Sequence, residues 1–94
     1  MVNHFKGKKI LIMGLGLHGG GVAVVKWLLK RKAILTITDL KTKNQLKASL
    51  NSISKLPGAG AIKYRLGGHL LEDFKNQDLI VQNPGVPDGS IYLS

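Results

Sequence analysis

Apolar positions along this chain alternate between two periods. Lys8-Lys9-Ile10-Leu11-Ile12-Met13 ends in four consecutive apolar side chains, the pattern of a strand buried on both faces of a parallel sheet. Past a glycine-rich turn, Val22, Val25, Leu28 and Leu29 fall on one helical stripe, with Lys26 and Lys30 on another face. That spacing predicts a helix over 20–32. Trp27 lies within it and is read as packing against the sheet or a neighbour. Residues 33–38, Ala33-Ile34-Leu35-Thr36-Ile37-Thr38, are rich in β-branched side chains and form the second strand. Thr42 and Gln45 stand in a capping-box relation and open a second helix, in which Leu46, Leu50 and Ile53 share a face. Pro57-Gly58 ends it. Ile62, Tyr64 and Leu66 alternate with Lys63 and Arg65, as in a third strand with one partly solvated face. Gly67-Gly68-His69 makes a turn, and residues 70–75 a short helical stretch. The fourth strand, Asp78-Leu79-Ile80-Val81-Gln82, runs into the rigid loop Asn83-Pro84-Gly85-Val86-Pro87-Asp88-Gly89.

Strands alternating with helices call for an α/β fold. The expectation is a Rossmann-like three-layer domain with a mainly parallel sheet of about four strands, right-handed crossovers and helices on both faces. Residues 1–94 make a single domain. In such a sheet ligands bind outside the carboxyl ends of the strands. The segments 14–19, 39–41, 67–69 and 83–86, each following a strand, therefore emerge at one edge. The first of them, Gly14-Leu15-Gly16-Leu17-His18-Gly19, has the glycines of a sharp turn with no Cβ to hold a phosphate away from the backbone N–H groups. The helix after it aims unpaired N–H groups and its positive dipole end at that turn. Asp39, twenty residues beyond Gly19, stands where a βαβ nucleotide site puts the acid that holds a nucleoside.

The composition narrows the class. The chain has no cysteine, which excludes disulfides and thiolate metal sites, and no apolar run approaches the about 20 residues of a membrane span. The N-terminus lacks the apolar core of a secretory signal, so a cytoplasmic setting is expected. A formal charge of +9 raises nucleic acid as a partner, but the basic residues are scattered and only Lys6, Lys8 and Lys9 cluster. No aromatic interleaves with them as a base-stacking platform requires. Neither nucleic acid nor membrane is expected to bind.

Taken together, Gly14-Leu15-Gly16-Leu17-His18-Gly19, Thr36-Ile37-Thr38-Asp39, Leu66-Gly67-Gly68-His69 and Asp78-Leu79-Ile80-Val81-Gln82-Asn83-Pro84-Gly85-Val86-Pro87 resemble the N-terminal domain of a Mur ligase. They occur in the family's order and cover nearly the whole chain. The resemblance implies a domain that binds the UDP part of UDP-N-acetylmuramoyl-L-alanine. Gly14, Gly16 and Gly19 shape the loop, and amides at Leu17 and His18 contact the diphosphate. Asp39 accepts hydrogen bonds from the uracil, with Leu40 and Lys41 alongside, and Asn83, Pro84 and Gly85 close the pocket. The implied chemistry is that of peptidoglycan precursor synthesis: ATP with Mg2+ phosphorylates the substrate carboxylate, and D-glutamate attacks the acyl phosphate. His18 stands where the family commonly has a small hydroxyl residue, and Asn83 where it commonly has Ser. His18 acts either as a cation toward the diphosphate or through its backbone alone. His69 reads as a turn or core histidine rather than a metal ligand or catalytic base.

The chain contains no Gly-x-x-x-x-Gly-Lys-Ser/Thr loop, so no cofactor and no catalytic or metal-ligating residue is expected in it. ATP is expected in other domains of a full-length enzyme, of which these residues are an inactive fragment lacking the last helix and strand of their own domain. An edge left open in that way is expected to allow self-association. Two other readings stay open: a nicotinamide- or flavin-binding domain of an oxidoreductase, in which Asp39 holds an adenosine ribose, and an interaction module that has lost its ligand.

Overall fold

Strand β1 (Lys9–Met13) has β2 (Ile34–Asp39) on one side and β4 (Leu79–Gln82) on the other. Its four apolar residues are buried, as a central position in a sheet demands. The computed structural model describes residues 4–16 and 20–82. With β3 (Lys63–Leu66) the sheet has the order β3-β2-β1-β4, and every pairing is parallel. Ile12 lies level with Ile37 on one side and Val81 on the other. Asp78 secures the start of β4: its carboxylate accepts from the Lys9 amide at 2.8 Å, and its own amide donates to the Lys9 carbonyl at 2.7 Å.

Helix α1 (Gly20–Lys30) crosses from β1 to β2, and α2 (Lys47–Ser54) from β2 toward β3. Both pack on the same face of the sheet. Val25 and Leu28 of α1 meet Leu46 and Ile53 over Ile10, Ile12, Leu35 and Ile37 in one apolar cluster. The chain moves outward through β1, β2 and β3, and right-handed crossovers in one direction put both helices on one side. The reversal to β4 sends the next connection to the opposite face. There a 3-10 turn at Leu71–Phe74 is held by Asp73, which accepts from Arg65 Nε at 2.7 Å with Lys63 Nζ at 3.9 Å. Its hydrogen bonds to the Arg65 guanidinium hold the Asp73 carboxyl below its usual range, with burial opposing.

Several boundaries depart from the expectation, those of the helices most. The first helix ends at Lys30 rather than 32, closed by bonds from the Lys32 amide to the Leu29 carbonyl and from the Ala33 amide to the Leu28 carbonyl. Lys32 takes the left-handed conformation (φ 64) that usually marks a glycine, so nothing in the residue types announces this stop. The Thr42–Gln45 capping box forms, with the Thr42 amide 2.9 Å from Gln45 Oε1 and the Gln45 amide 3.3 Å from Thr42 Oγ1. Regular helix begins only at Lys47. Trp27 packs on a neighbour and not on the sheet: its ring meets the edge of Phe5 at 5.0 Å and lies under the Arg31 guanidinium.

Helix α1 comes very close to the end of β1 at Gly21, where a Cβ would fall on the Leu15 backbone, 2.7 Å from its Cα. Alanine there gains about 1 kcal/mol of helix propensity, but overlap with backbone atoms costs more, about 1–3 kcal/mol. Gly21→Ala is therefore expected to lower the denaturation midpoint. Gly60→Ala, with nothing within 4 Å of the added Cβ, is the control and is expected to stay near wild type.

Candidate functional site at the carboxyl ends of the strands

Because all four strands are parallel, the segments after β1, β2 and β3 leave the sheet at one edge, and hydrogen bonds join them. The Gly14 amide donates to the Thr38 carbonyl at 2.8 Å, carrying the β1–β2 pairing one residue past the strand. Gly14 and Gly16 both have positive φ, 90° and 79°, so the chain turns there in a conformation that side chains disfavour. This turn aims the Leu15 amide at Asp39, the last residue of β2. Asp39 Oδ2 accepts from the Leu15 amide at 2.7 Å, with the Gly16 amide at 3.5 Å, and Oδ1 accepts from the Lys41 amide at 2.8 Å. Asp39 is only 5% exposed. From the other side Ser49 of α2 donates its hydroxyl to the Gly16 carbonyl at 3.2 Å.

The Gly-Gly-His turn is fastened to the same place. The Gly68 amide donates to the Asp39 carbonyl and the Gly67 amide to the Lys41 carbonyl, at 3.1 and 2.8 Å. The buried Thr38 hydroxyl lies 2.6 Å from His69 Nδ1 and 3.4 Å from the Gly68 carbonyl. His69 also meets Phe74 edge-on, with ring centroids 6.2 Å apart. Burial lowers the His69 pKa from its ordinary value, opposed by the nearby Asp39 charge. Among the described residues no three His, Cys, Asp or Glu gather as a metal site needs.

Of the residues singled out in the sequence, the structure brings Gly14, Gly16, Asp39, Leu40 and Lys41 together. Leu40 is 64% exposed at the rim and Lys41 is half-buried. Leu17, His18, Gly19, Asn83, Pro84 and Gly85 lie outside the described residues. Sequence reasoning missed Ser49. For Ser49 a signal existed, since a lone hydroxyl stands three residues after Leu46 on the buried stripe of α2. A groove of about 390 Å³ lies elsewhere, between α2 and β3, lined by Lys43, Leu50, Ser54, Tyr64 and Leu66 among others. Its lining is mostly apolar and includes no residue of the glycine loop.

An open parallel sheet whose direction reverses between β1 and β4, with a braced glycine turn at that reversal, defines a doubly wound domain of Rossmann type. The chain belongs to the family of Mur ligase MurD-like N-terminal domains, whose match covers residues 8–93. Similar proteins include the UDP-N-acetylmuramoylalanine–D-glutamate ligases of Borreliella burgdorferi (strain ZS7), Roseiflexus sp. (strain RS-1) and Treponema pallidum (strain Nichols). They are 46%, 44% and 42% identical over 93, 87 and 90 residues. Those alignments cover 99%, 93% and 95% of this chain but 20%, 18% and 16% of the relatives, so the chain spans about a fifth of their length or less.

The lowered pKa of His69 carries a pH dependence. The unfolded chain binds the His69 proton more readily than the folded one, so this contribution to stability is intact above the unfolded value near 6.5. It is lost as pH falls from there through the folded value. An NMR titration is expected to place the His69 midpoint below 6.5. His69→Gln is expected to lessen the loss of stability between pH 7 and 5, and an unchanged slope would contradict the assignment.

Proposed function

We propose that this chain is the nucleotide-binding domain of a ligase that joins D-glutamate to UDP-N-acetylmuramoyl-L-alanine in peptidoglycan precursor synthesis. The observation that carries this reading is the glycine loop at the end of β1, braced by Asp39 and Ser49 at the reversal of the sheet. Membership in the MurD-like family points the same way. The diphosphate is held by backbone amides of the loop around Leu17, His18 and Gly19, which needs no cationic side chain. The uracil lies against the rim formed by Asp39, Leu40 and Lys41, with Asn83, Pro84 and Gly85 closing over it. ATP and Mg2+ serve the whole enzyme. These residues do not fit ATP, for they include no Gly-x-x-x-x-Gly-Lys-Ser/Thr loop, and no catalytic step is assigned to them. No helix among the described residues is long and apolar enough to cross a membrane.

Isothermal titration separates this reading from a dinucleotide-binding one. The chain is expected to bind UDP-N-acetylmuramoyl-L-alanine, to release it in competition with UDP, and to leave NAD unbound. Binding of NAD with no response to either uridine nucleotide would contradict the proposal.

A further inference from the structure

We propose that the end of the domain away from the glycine loop is a docking surface for an anionic lipid bilayer. The proposal stands apart from the nucleotide reading and uses none of its residues. Along the sequence only Lys6, Lys8 and Lys9 cluster, but the fold brings more of the basic residues to them. Helix α1 runs back along the parallel sheet, so its last turn meets the starts of β1 and β2 at one end. The Gly7 amide donates to the Lys32 carbonyl at 3.0 Å, and the Ile34 amide to the Lys8 carbonyl at 2.8 Å. Those bonds gather Lys6, Lys8 and Lys9 with Lys26, Lys30, Arg31 and Lys32, half of the 14 Lys and Arg in the chain. All six lysines are exposed, and Lys26, Lys30 and Lys32 line one groove of about 270 Å³ over Leu29, Leu56 and Pro57. Acids are sparse at this end. Among the described residues Asp78 borders the patch, accepting from the Lys9 amide. Asp39 lies at the far end of β2, and Glu72 and Asp73 pair with Lys75, Lys63 and Arg65.

Apolar and aromatic surface is set among these charges. Trp27 and Ile34 are exposed, and Phe5 packs against Trp27 with ring centroids 5.0 Å apart. The Arg31 guanidinium lies over the indole, 3.4 Å from its centroid, and donates to the Trp27 carbonyl at 2.9 Å. An indole surrounded by lysines suits the interface of a bilayer. There the ring settles at headgroup level, and the long lysine stems carry their charges to lipid phosphates. Two other anionic partners fit less well. Single-stranded nucleic acid needs an open ring face on which a base can stack, and here Arg31 covers one side of the indole while Phe5 packs against it. A folded acidic protein ordinarily meets arginine, whose planar fork pairs with carboxylates, and lysine is depleted at such interfaces. This patch has six lysines and one arginine. Attraction to a charged surface needs the charges alone. Docked in this way, the domain turns the carboxyl ends of its strands away from the bilayer.

Trp27 is the single tryptophan of the chain, so its fluorescence reports on the patch itself. The whole chain is titrated with vesicles of phosphatidylglycerol mixed with phosphatidylcholine, and with vesicles of phosphatidylcholine alone. The mixed vesicles are expected to shift Trp27 emission to the blue, and brominated acyl chains in them to quench it. Neutral vesicles are expected to do neither. Lys26→Ala combined with Lys30→Ala is expected to weaken vesicle binding about tenfold or more, since each lysine near an anionic surface contributes about fivefold. Lys43→Ala combined with Lys47→Ala removes the same charge near the start of α2, at the other end of the domain. That pair is expected to change binding by less than about threefold. Equal losses from the two pairs would mean that net charge alone acts, and would overturn the proposal. Wild-type emission that does not move on the mixed vesicles would overturn it too. Should a variant not fold, quenching of the wild type decides. Tighter binding of duplex DNA or of polyglutamate than of the mixed vesicles would give the patch to that partner and overturn this one.

Discussion

One carboxylate joins the ends of the two central strands. Where β1 stops, its backbone turns away from the sheet, and the amides of Leu15 and Gly16 lose the partners that a strand would give them. Asp39 of the neighbouring strand supplies acceptors for both and, through its second oxygen, for Lys41 beyond its own strand. Buried N–H groups are costly to leave unpaired, so these bonds select one path for the loop out of many. The Gly68 and Gly67 amides then fasten the third loop to Asp39 and Lys41. Three segments distant in sequence thus share one brace.

The sheet order places that brace where it is useful. The chain runs outward from β1 to β3, returns, and adds β4 on the far side of β1. In sheets of this kind crossovers on either side of such a reversal pass over opposite faces, which places a crevice at the carboxyl ends of the two strands that flank it. The α1–α2 layer supports the crevice from one face. Its contact at Gly21 lets the helix come close to Leu15, and Ser49 reaches Gly16 from the second helix. Packing and site are in this sense the same contacts. Removing space at Gly21 disturbs the loop as directly as changing a residue within it.

Much of this arrangement is legible in the residues. Four consecutive apolar positions mark β1 as a buried strand, and alternation at Ile62, Tyr64 and Leu66 marks β3 as a strand with one partly solvated face. The glycines and Asp39 locate the crevice. What periodicity does not carry is direction: it places Asp39 at the right strand end but does not say that its carboxylate turns inward to the backbone. Nor does it reveal that the helix ends at Lys30, two residues before a lysine that adopts a backbone conformation usually left to glycine. Trp27 shows the same limit. Its spacing suits a packed aromatic, yet Phe5 and Arg31 hold it at the surface, 46% exposed.

Hydrogen exchange at the Leu15 and Lys41 amides of the ligand-free protein tests the central claim most directly. Both donate to a carboxylate that lies almost wholly out of solvent. They are expected to exchange as slowly as the Ile12 amide in the middle of β1, through opening of the whole domain. Exchange at the rate of an unstructured chain, with Ile12 still protected, would mean that Asp39 does not hold the loop.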